Sequence, residues 1–485
     1  MDWSNHPIPF KIYPELDPIR LDPSIARTEV PALLAVSATE FDTETGTIPD
    51  LKQLGQLLYF SAGVTKKVNY PGGTQYFRAA SCTGALYEIE LYIVCSDLEG
   101  LSAGVYQFGP GDFGLRRLRE GDFRSVLFQA SGNDPAVFRA PVTMICTGTY
   151  WRNAWKYQAR TYRHFGWDNG TILANTLAIA NALGLSAQVK CGFVDSEVNR
   201  LLDLDTEREV AFSMIPLGFG SASPGTSRRE VTPLNLDTVP LSEGEVQYPE
   251  MNRIHQASSL DTVEDLAAWS GSIPVVPRPS LDSRAVSLLP LPDNRISHDG
   301  IESVILRRGS TRQFARASLT MEQFSTMLDR ATRGIRADFL TPFGSSLNDI
   351  YLIVNAVDGI QPGSYAYHPK ENKLELLKQG DFRGMAAHLG LDQPLPGDAS
   401  IAVFFLADLG PILERFGNRG YRAVQLEAGI LGGKLYLAAY AQRLGATGLT
   451  FYDDEVVEFF SPHAAGKSAI FLMALGKSVK PRRNL

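Results

Sequence analysis

Two short segments carry residue types that could do chemistry. Lys156 is followed directly by Tyr157, and a lysine beside a tyrosine can transfer protons if burial lowers the affinity of the amine for its proton. Arg308, Ser310 and Arg312 alternate along the chain, so an extended backbone can direct them at one anion, and guanidinium groups suit a phosphate. We call residues 308–312 the basic segment. Each pattern also fits a plainer arrangement, either a surface lysine with a packed tyrosine or a solvated basic cluster.

A third segment is built from small residues. Arg78 begins a loop that continues through Cys82, Thr83, Gly84 and Ala85 and then enters a run rich in β-forming residues. We call residues 78–85 the small-residue loop. Such a loop allows a planar ligand to approach the backbone closely, although an ordinary tight turn has the same composition.

Two glycine patterns do not predict a nucleotide site. Residues 109–114 fit Gly-x-Gly-x-x-Gly, but no apolar helix follows them, so the pattern indicates a hairpin turn. Residues 466–468, Gly-Lys-Ser, resemble the end of a phosphate-binding loop, but Ser461 replaces the required first glycine and a strand-like run follows. The sequence therefore does not favour a dinucleotide-binding fold or a nucleoside triphosphatase.

The chain contains the same pattern twice. Residues 104–124 and 363–383 are identical at nine of 21 positions without a gap, at an offset of 259 residues. Nearly the same offset relates paired residues before and after this stretch, which distinguishes a duplicated domain from a shared turn. We therefore predict homologous domains at residues 1–220 and 297–485, joined by a proline-rich connector at residues 221–296.

The elements that must position the three segments have the same pattern in both halves. Apolar residues at helical spacing predict helices over residues 50–60 and 320–330, the second capped by Thr320. Long, almost wholly apolar runs predict a buried helix over 171–183 in one half and 430–444 in the other. The connector is expected to be extended, with one short helix near residues 263–269. Strands are predicted at 89–94, 142–146, 212–217, 351–354, 401–406 and 469–475, and their irregular alternation with helices favours an α+β fold.

Composition and charge exclude several classes of function. The 485 residues are 44% hydrophobic and 20% charged, as in ordinary folded proteins, and a net charge of −7 gives no support for binding nucleic acid or a membrane surface. The four cysteines and seven histidines are scattered, so neither a disulfide framework nor a metal site is expected. The first residues do not resemble a signal peptide, and no apolar run is long enough to span a membrane. We expect a cytoplasmic protein that acts on a small molecule.

Several strings together resemble the flavin-dependent nitroreductase superfamily, and within it the SagB-type dehydrogenases, which include the azoline oxidases of thiazole- and oxazole-containing peptide biosynthesis. The first half contributes YFRAASCTGALYEIELYIV and WRNAWKYQARTYRH, and the second contributes RRGSTRQF, LEAG and FYDDEV. The resemblance implies a central sheet flanked by helices, in a homodimer that binds FMN between its subunits. In this chain, two nitroreductase-like domains would pack as an intramolecular pseudo-dimer.

The resemblance also implies roles for individual residues. The implied FMN-binding residues are Arg308, Ser310 and Arg312 for the phosphate and ribityl chain; Arg78, Cys82, Thr83, Gly84 and Ala85 over the flavin ring; Gly448, Thr450 and Phe451 beside its redox nitrogen; and Lys480 and Arg482 as further phosphate contacts. Lys156 and Tyr157 correspond to the family's proton-transferring pair. Because the counterpart of the basic segment, around residues 37–41, has no arginine, we expect one FMN per chain.

The implied reaction is a two-electron dehydrogenation in which FMN accepts a hydride, Lys156 or Tyr157 takes a proton, and dioxygen reoxidises the flavin. The substrate would be an azoline in a modified peptide or another peptide- or carrier-bound intermediate, and a biosynthetic enzyme is a candidate partner. The chain would act as a monomeric pseudo-dimer or pair further as a homodimer. Two alternatives stay open: an NAD(P)H-dependent reductase of nitro or quinone compounds, and a non-catalytic partner in a biosynthetic complex.

Overall fold

A six-stranded antiparallel sheet forms the centre of the first half. The computed structural model describes residues 1–39, 47–70, 73–220, 229–271 and 285–479. The strands of this half are β1 (Ile19–Arg20), β2 (Val64–Tyr70), β3 (Gly73–Arg78), β4 (Ile89–Cys95), β5 (Gly104–Gly109), β6 (Gly114–Glu120), β7 (Val142–Thr149) and β8 (Glu209–Leu217). Their order across the sheet is β1-β6-β5-β4-β7-β8, while β2 and β3 pair as a separate hairpin that leads into the small-residue loop.

The second half repeats this arrangement around a seven-stranded sheet. Its strands are β9 (Val286–Ser287), β10 (Asp349–Val354), β11 (Gly363–His368), β12 (Lys373–Gln379), β13 (Ile401–Ala407), β14 (Gly445–Leu449) and β15 (Ser468–Gly476). They lie in the order β14-β15-β13-β10-β11-β12-β9. In both sheets the central strands are buried, which accounts for their nearly continuous apolar sequences.

Helices pack around and between the two sheets. In the first half they are α1 (Ala32–Ser37), α2 (Leu51–Ala62), α3 (Arg124–Ala130), α4 (Pro135–Arg139), α5 (Tyr150–Tyr157), α6 (Thr161–Ala182) and α7 (Asp195–Leu202). The connector contributes α8 (Pro249–Ala257) and α9 (Val263–Trp269). The second half has α10 (Ile301–Arg307), α11 (Met321–Thr332), α12 (Arg383–Leu389), α13 (Pro394–Asp398), α14 (Leu409–Phe416), α15 (Arg419–Ala441) and α16 (Asp453–Phe460). Among the described helices, none combines the length and apolar character needed to cross a membrane.

The structure confirms the predicted α+β fold and most of the predicted elements. Asp50 caps α2 and Thr320 caps α11, each through a reciprocal pair of hydrogen bonds with a glutamine three residues later. The predicted buried helices are α6 and α15, but each begins about ten residues before its apolar run, because the first turns face the other half rather than solvent. The connector contains the predicted helix α9 and also α8, which its mixed composition did not indicate.

The two halves meet where α6 crosses α15. A Cβ atom on Gly170 would lie 2.5 Å from Cα of Gly429, and one on Gly429 would lie 2.5 Å from the carbonyl oxygen of Gly166. The repeat pairs Gly170 with Gly429, so equivalent residues touch each other, as they do on the two-fold axis of a dimer. The duplicated halves therefore pack as an intramolecular pseudo-dimer.

Reciprocal ion pairs flank this crossing. At the start of α6, Arg160 and Arg163 bind the carboxylate of Asp453 in the second half, Arg160 at 3.0 Å. At the equivalent start of α15, Nη1 of Arg419 and of Arg422 bind Asp195 of the first half at 2.5 and 2.7 Å. Although burial alone would raise the pKa of Asp195, the two guanidinium groups lower it to about 2.

We predict that Gly170→Ala destabilises the chain by about 1–3 kcal/mol, because the added methyl group must push two backbones apart. Gly384→Ala is a matched control in the exposed helix α12, where a Cβ meets no atom within 4 Å. It should be neutral or stabilising by roughly 0.5–1 kcal/mol, since alanine favours helix more than glycine does. Urea unfolding of both variants measures the difference, and equal stabilities would contradict the assigned crossing.

Candidate functional site

The basic segment lies against the small-residue loop. It follows the end of α10, and Nε and Nη2 of Arg308 donate to the carbonyl oxygens of Ala79 at 3.0 Å and Arg78 at 3.3 Å. A segment of the second half therefore meets a loop of the first, as the sequence predicted. Arg312 is exposed, and within the described part of the chain its guanidinium takes part in no hydrogen bond or ion pair. Its positive charge is thus available to a ligand.

Two tyrosines of α15 hold the basic segment in place. The hydroxyl of Tyr436 lies 3.2 Å from Oγ of Ser310 and accepts the N–H of Gly448 at 2.7 Å. The hydroxyl of Tyr440 donates to the carbonyl oxygen of Gly309 at 2.7 Å. Sequence reasoning missed both tyrosines, although their spacing of four residues on a predicted helix places them on one face.

The small-residue loop has an unusual backbone that α6 holds in place. Gly84, Ala85 and Tyr87 all have φ between 55° and 64°, a region that residues other than glycine seldom adopt. The N–H of Thr83 donates to the carboxylate of Asp168 at 2.8 Å, which fixes the loop to the helix. Such strain, maintained by surrounding contacts, is typical of functional loops.

Arg78 contributes to this interface through its backbone. Its guanidinium is buried and turns toward the first half itself, where Nη2 donates to the carbonyl oxygen of Pro9 at 2.6 Å. It also stacks 4.9 Å from the centre of the Tyr87 ring. Among the site residues expected from the sequence, Arg78 thus supports the loop and does not present its charge to the second half.

The spacing of Lys156, Arg160 and Arg163 would place them on one face of a continuous helix, but the structure does not have such a helix. Helix α5 ends at Tyr157, and Gln158 has φ of 52°, which breaks the chain direction before α6 begins. The two arginines consequently turn away to bind the second half, while Lys156 stays exposed at the end of α5. Its Nζ lies 5.1 Å from the centre of the Tyr157 ring.

Tyr157 does reach the small-residue loop. Its hydroxyl oxygen lies 3.1 Å from the position that a Cβ would occupy on Gly84, so a larger residue would crowd the tyrosine and strain the backbone, whose φ is 64°. Burial raises the pKa of Tyr157, and the nearby Asp168 raises it further, while Arg312 of the second half opposes this shift. The side chain is therefore a neutral phenol at physiological pH, and it stands between the loop and the basic segment.

The remaining expected residues divide into three groups. Gly448 lies on β14 behind the basic segment, and Thr450 follows it half-buried. The Phe451 ring packs 5.5 Å below the guanidinium groups of Arg160 and of Arg163, within the contact between the halves. Lys480 and Arg482 lie outside the described residues.

The donor set fits an FMN molecule. A basic segment with a hydroxyl suits a phosphate and a polyol chain, and a loop of small residues on the opposite side suits a flat ring. Within the described residues, no hydrogen bond joins residues 447–452 to the small-residue loop. These residues could hold the cofactor between them.

The equivalent place at the other interface is closed. There, residues 187–194 correspond to residues 445–452, and the N–H of Val189 donates to the carbonyl oxygen of Arg336 at 2.9 Å. Asp338, the counterpart of Arg78, accepts the N–H groups of Cys191 and Gly192, both at 2.9 Å. Within the described residues, these hydrogen bonds have no counterpart between residues 445–452 and the small-residue loop.

We predict that Tyr436→Phe lowers the hydrogen-exchange protection of the Gly448 amide, because that N–H loses its acceptor. The loss corresponds to about 0.5–1.5 kcal/mol for one hydrogen bond. Tyr440→Phe is the control, because its hydroxyl bonds Gly309 instead. Unchanged protection at Gly448 in Tyr436→Phe would contradict the assigned contact.

Several known proteins are similar to this chain in structure or in sequence. In the solved structure of a protein from Anabaena variabilis described as a nitroreductase, the match covers 99% of this chain and 95% of that one, with a TM-score of 0.76 and 26% identity. The Trifolitoxin-processing protein TfxB of Rhizobium leguminosarum bv. trifolii is 29% identical over 202 residues, 38% of this chain and 54% of that protein. The Microcin B17-processing protein McbC of Escherichia coli is 29% identical over 133 residues, 26% of this chain and 48% of that protein.

The chain spans about half the length of these two processing proteins. Similarity to them supports the SagB-type branch that the sequence resembles. The family model described as "Nitroreductase family" matches residues 50–219 and again residues 305–477, so each half carries one copy of the domain. Through both of these matches, this chain belongs to the nitroreductase family.

Proposed function

We propose that the chain is an FMN-dependent oxidoreductase that dehydrogenates a peptide- or carrier-bound intermediate, such as an azoline, with Lys156 and Tyr157 handling the proton. One observation carries the proposal. The basic segment of one half contacts the small-residue loop of the other and lies near Tyr157, whereas at the counterpart interface Asp338 binds the backbone N–H groups of the facing segment. Family membership supports an oxidoreductase, and the names of two relatives, which process trifolitoxin and microcin B17, support a peptide substrate.

The chain's own residues would have separate roles that follow from their charge and position. Arg308, Ser310 and Arg312 would hold the phosphate and polyol chain, and residues 82–85 would lie along the ring. When bound, FMN would supply the two-electron acceptor that no side chain provides. Tyr157, kept as a phenol, would orient the substrate by donating a hydrogen bond, and the exposed Lys156 beside it would complete the proton-transferring pair. A biosynthetic partner that delivers the substrate is part of this proposal.

The first prediction concerns cofactor binding. Purified chain should bind one FMN, and Arg308→Ala combined with Arg312→Ala should weaken binding by about 1.5–3 kcal/mol for each lost charged hydrogen bond. Arg443→Ala is a matched control, because it removes an exposed arginine that is paired with Asp299 elsewhere in the second half. Titration followed by flavin absorbance measures stoichiometry and affinity. Two FMN per chain, or equal affinities in all variants, would contradict the assignment.

The second prediction concerns proton transfer. Lys156→Ala with Tyr157→Phe should retain FMN and lose turnover by roughly 10²–10⁴-fold, the usual contribution of a positioned acid or base. Oxidation of an azoline-containing peptide under air, followed by mass spectrometry, measures the rate. Full turnover in the double variant would exclude the assigned role. Rapid bleaching of the flavin by NAD(P)H without peptide would instead indicate a reductase.

A further inference from the structure

Two carboxyl groups lie together beneath the small-residue loop. Glu88 is 0% exposed and Asp168 4% exposed, and Sγ of Cys82 lies 3.3 Å from Oε2 of the first and 3.2 Å from Oδ2 of the second. Within the described part of the chain neither carboxylate forms an ion pair, and Oε1 of Glu88 has no hydrogen-bond partner. Two adjacent buried carboxylates without a cation cannot both be charged at modest free-energy cost, so they must retain a proton between them.

The second half has a different side chain at the position equivalent to Glu88. By the repeat, Asn348 corresponds to Glu88 and Glu427 to Asp168. Nδ2 of Asn348 donates to Oε2 of Glu427 at 2.7 Å, so there an amide supplies the hydrogen. Glu88 can make the equivalent bond only if it carries a proton. Asp168 is the accepting partner, since it already receives both the N–H and the hydroxyl hydrogen of Thr83.

This pair lies close to the proposed site. The hydroxyl of Tyr157 stands over Gly84, and the preceding residue, Thr83, is the one bonded to Asp168. Burial and then the carboxyl group of Asp168 raise the pKa of Tyr157. The other titratable or charged groups around the pair and Tyr157 are Cys82 and Tyr87 in the loop region, Arg78 at its start, Lys156 on α5, His164 on α6, and Arg308 and Arg312 of the second half.

We propose that Glu88 and Asp168 hold one proton in common, and that Glu88 is thereby a positioning residue that sets the pH range in which Tyr157 works. With the shared proton the pair carries one negative charge; when the pair releases that proton to solvent at high pH, it carries two. The second charge repels the first within a buried region and distorts the anchor of the small-residue loop. The catalytic part of this inference rests on the proposed function, whereas the shared proton does not.

The shared proton has a direct spectroscopic test on the full chain without substrate. Burial raises the pKa of Glu427 to about 7, so at a pH well above 7 its carboxyl is ionised. We expect the infrared C=O band of a protonated carboxylic acid to persist there in the wild type and to vanish in Glu88→Gln, which keeps one negative charge on the pair. Glu427→Gln is the matched control and should keep that band.

Unfolding gives an independent measurement. Burial and Glu88 raise the pKa of Asp168 well above its ordinary value, so the folded pair holds a proton that the unfolded chain has released. Wild-type stability therefore falls as pH rises from about 4 toward that raised pKa, by about tenfold per pH unit in the unfolding equilibrium. Glu88→Gln should lose this slope above pH 7, and Glu427→Gln should retain it. Glu88→Asn, which copies the second half, serves as a further variant if Glu88→Gln does not fold.

The catalytic part is read from the pH profile of turnover with FMN bound. Glu88→Gln should move the alkaline limb to higher pH, and Glu427→Gln should leave it in place. Superimposable profiles for Glu88→Gln and wild type would overturn the positioning role. A band that survives Glu88→Gln, or stoichiometric zinc binding at Cys82, Glu88 and Asp168 in place of the proton, would overturn the shared proton. If the wild type neither binds FMN nor turns over, the proposed function fails, while the spectrum and the unfolding data still decide the protonation.

Discussion

Helices α6 and α15 cross where the backbones of Gly170 and Gly429 touch, and the rest of the interface depends on that contact. The close approach brings the first turns of both helices to the opposite half, where each arginine pair binds one aspartate. These ion pairs fix the rotation of one half relative to the other. They thereby bring residues 308–312 of the second half against residues 78–85 of the first.

The same symmetry produces two equivalent interfaces, and the side chains make them different. At one, Asp338 binds backbone N–H groups directly and the halves close on each other. At the other, Arg78 occupies the equivalent position and turns back toward Pro9. An aspartate can accept two backbone N–H groups and an arginine can accept none, so Arg78 cannot form the hydrogen bonds that Asp338 makes at the counterpart interface. The asymmetry of the site is therefore a matter of hydrogen-bond polarity rather than of backbone fold.

The fold was predictable because both halves carry the same sequence pattern. Apolar spacing predicted α2 and α11 and the cap of α11, and the family resemblance of the two repeated halves implied the pseudo-dimer before any contact was known. The basic segment and the small-residue loop were also predicted to meet. The break at Gln158 was not, because a positive φ at glutamine follows from tertiary contacts and leaves no local signal. Glu88 and Asp168 were missed for a related reason, since 80 residues separate them and neither belongs to a recognisable spacing. The boundaries at residues 220 and 297 stay a prediction.

Because the two halves are fused in one chain, each position of the domain occurs twice, and each copy can change independently of the other. In a symmetric homodimer, an exchange of asparagine for glutamate beside a buried carboxylate would occur twice, and each site would carry the cost of an extra buried acid. In this chain Glu88 stands in one half and Asn348 in the other, so the additional buried acid lies only beneath the small-residue loop. Lys190 and Gly448 also differ: the lysine pairs with Asp134 in the first half, whereas a Cβ on the glycine would lie 3.0 Å from the Phe471 ring in the second. A single asymmetric site is thus compatible with a symmetric core, because the residues that differ lie on the surfaces of the crossing and the glycines at its centre do not change.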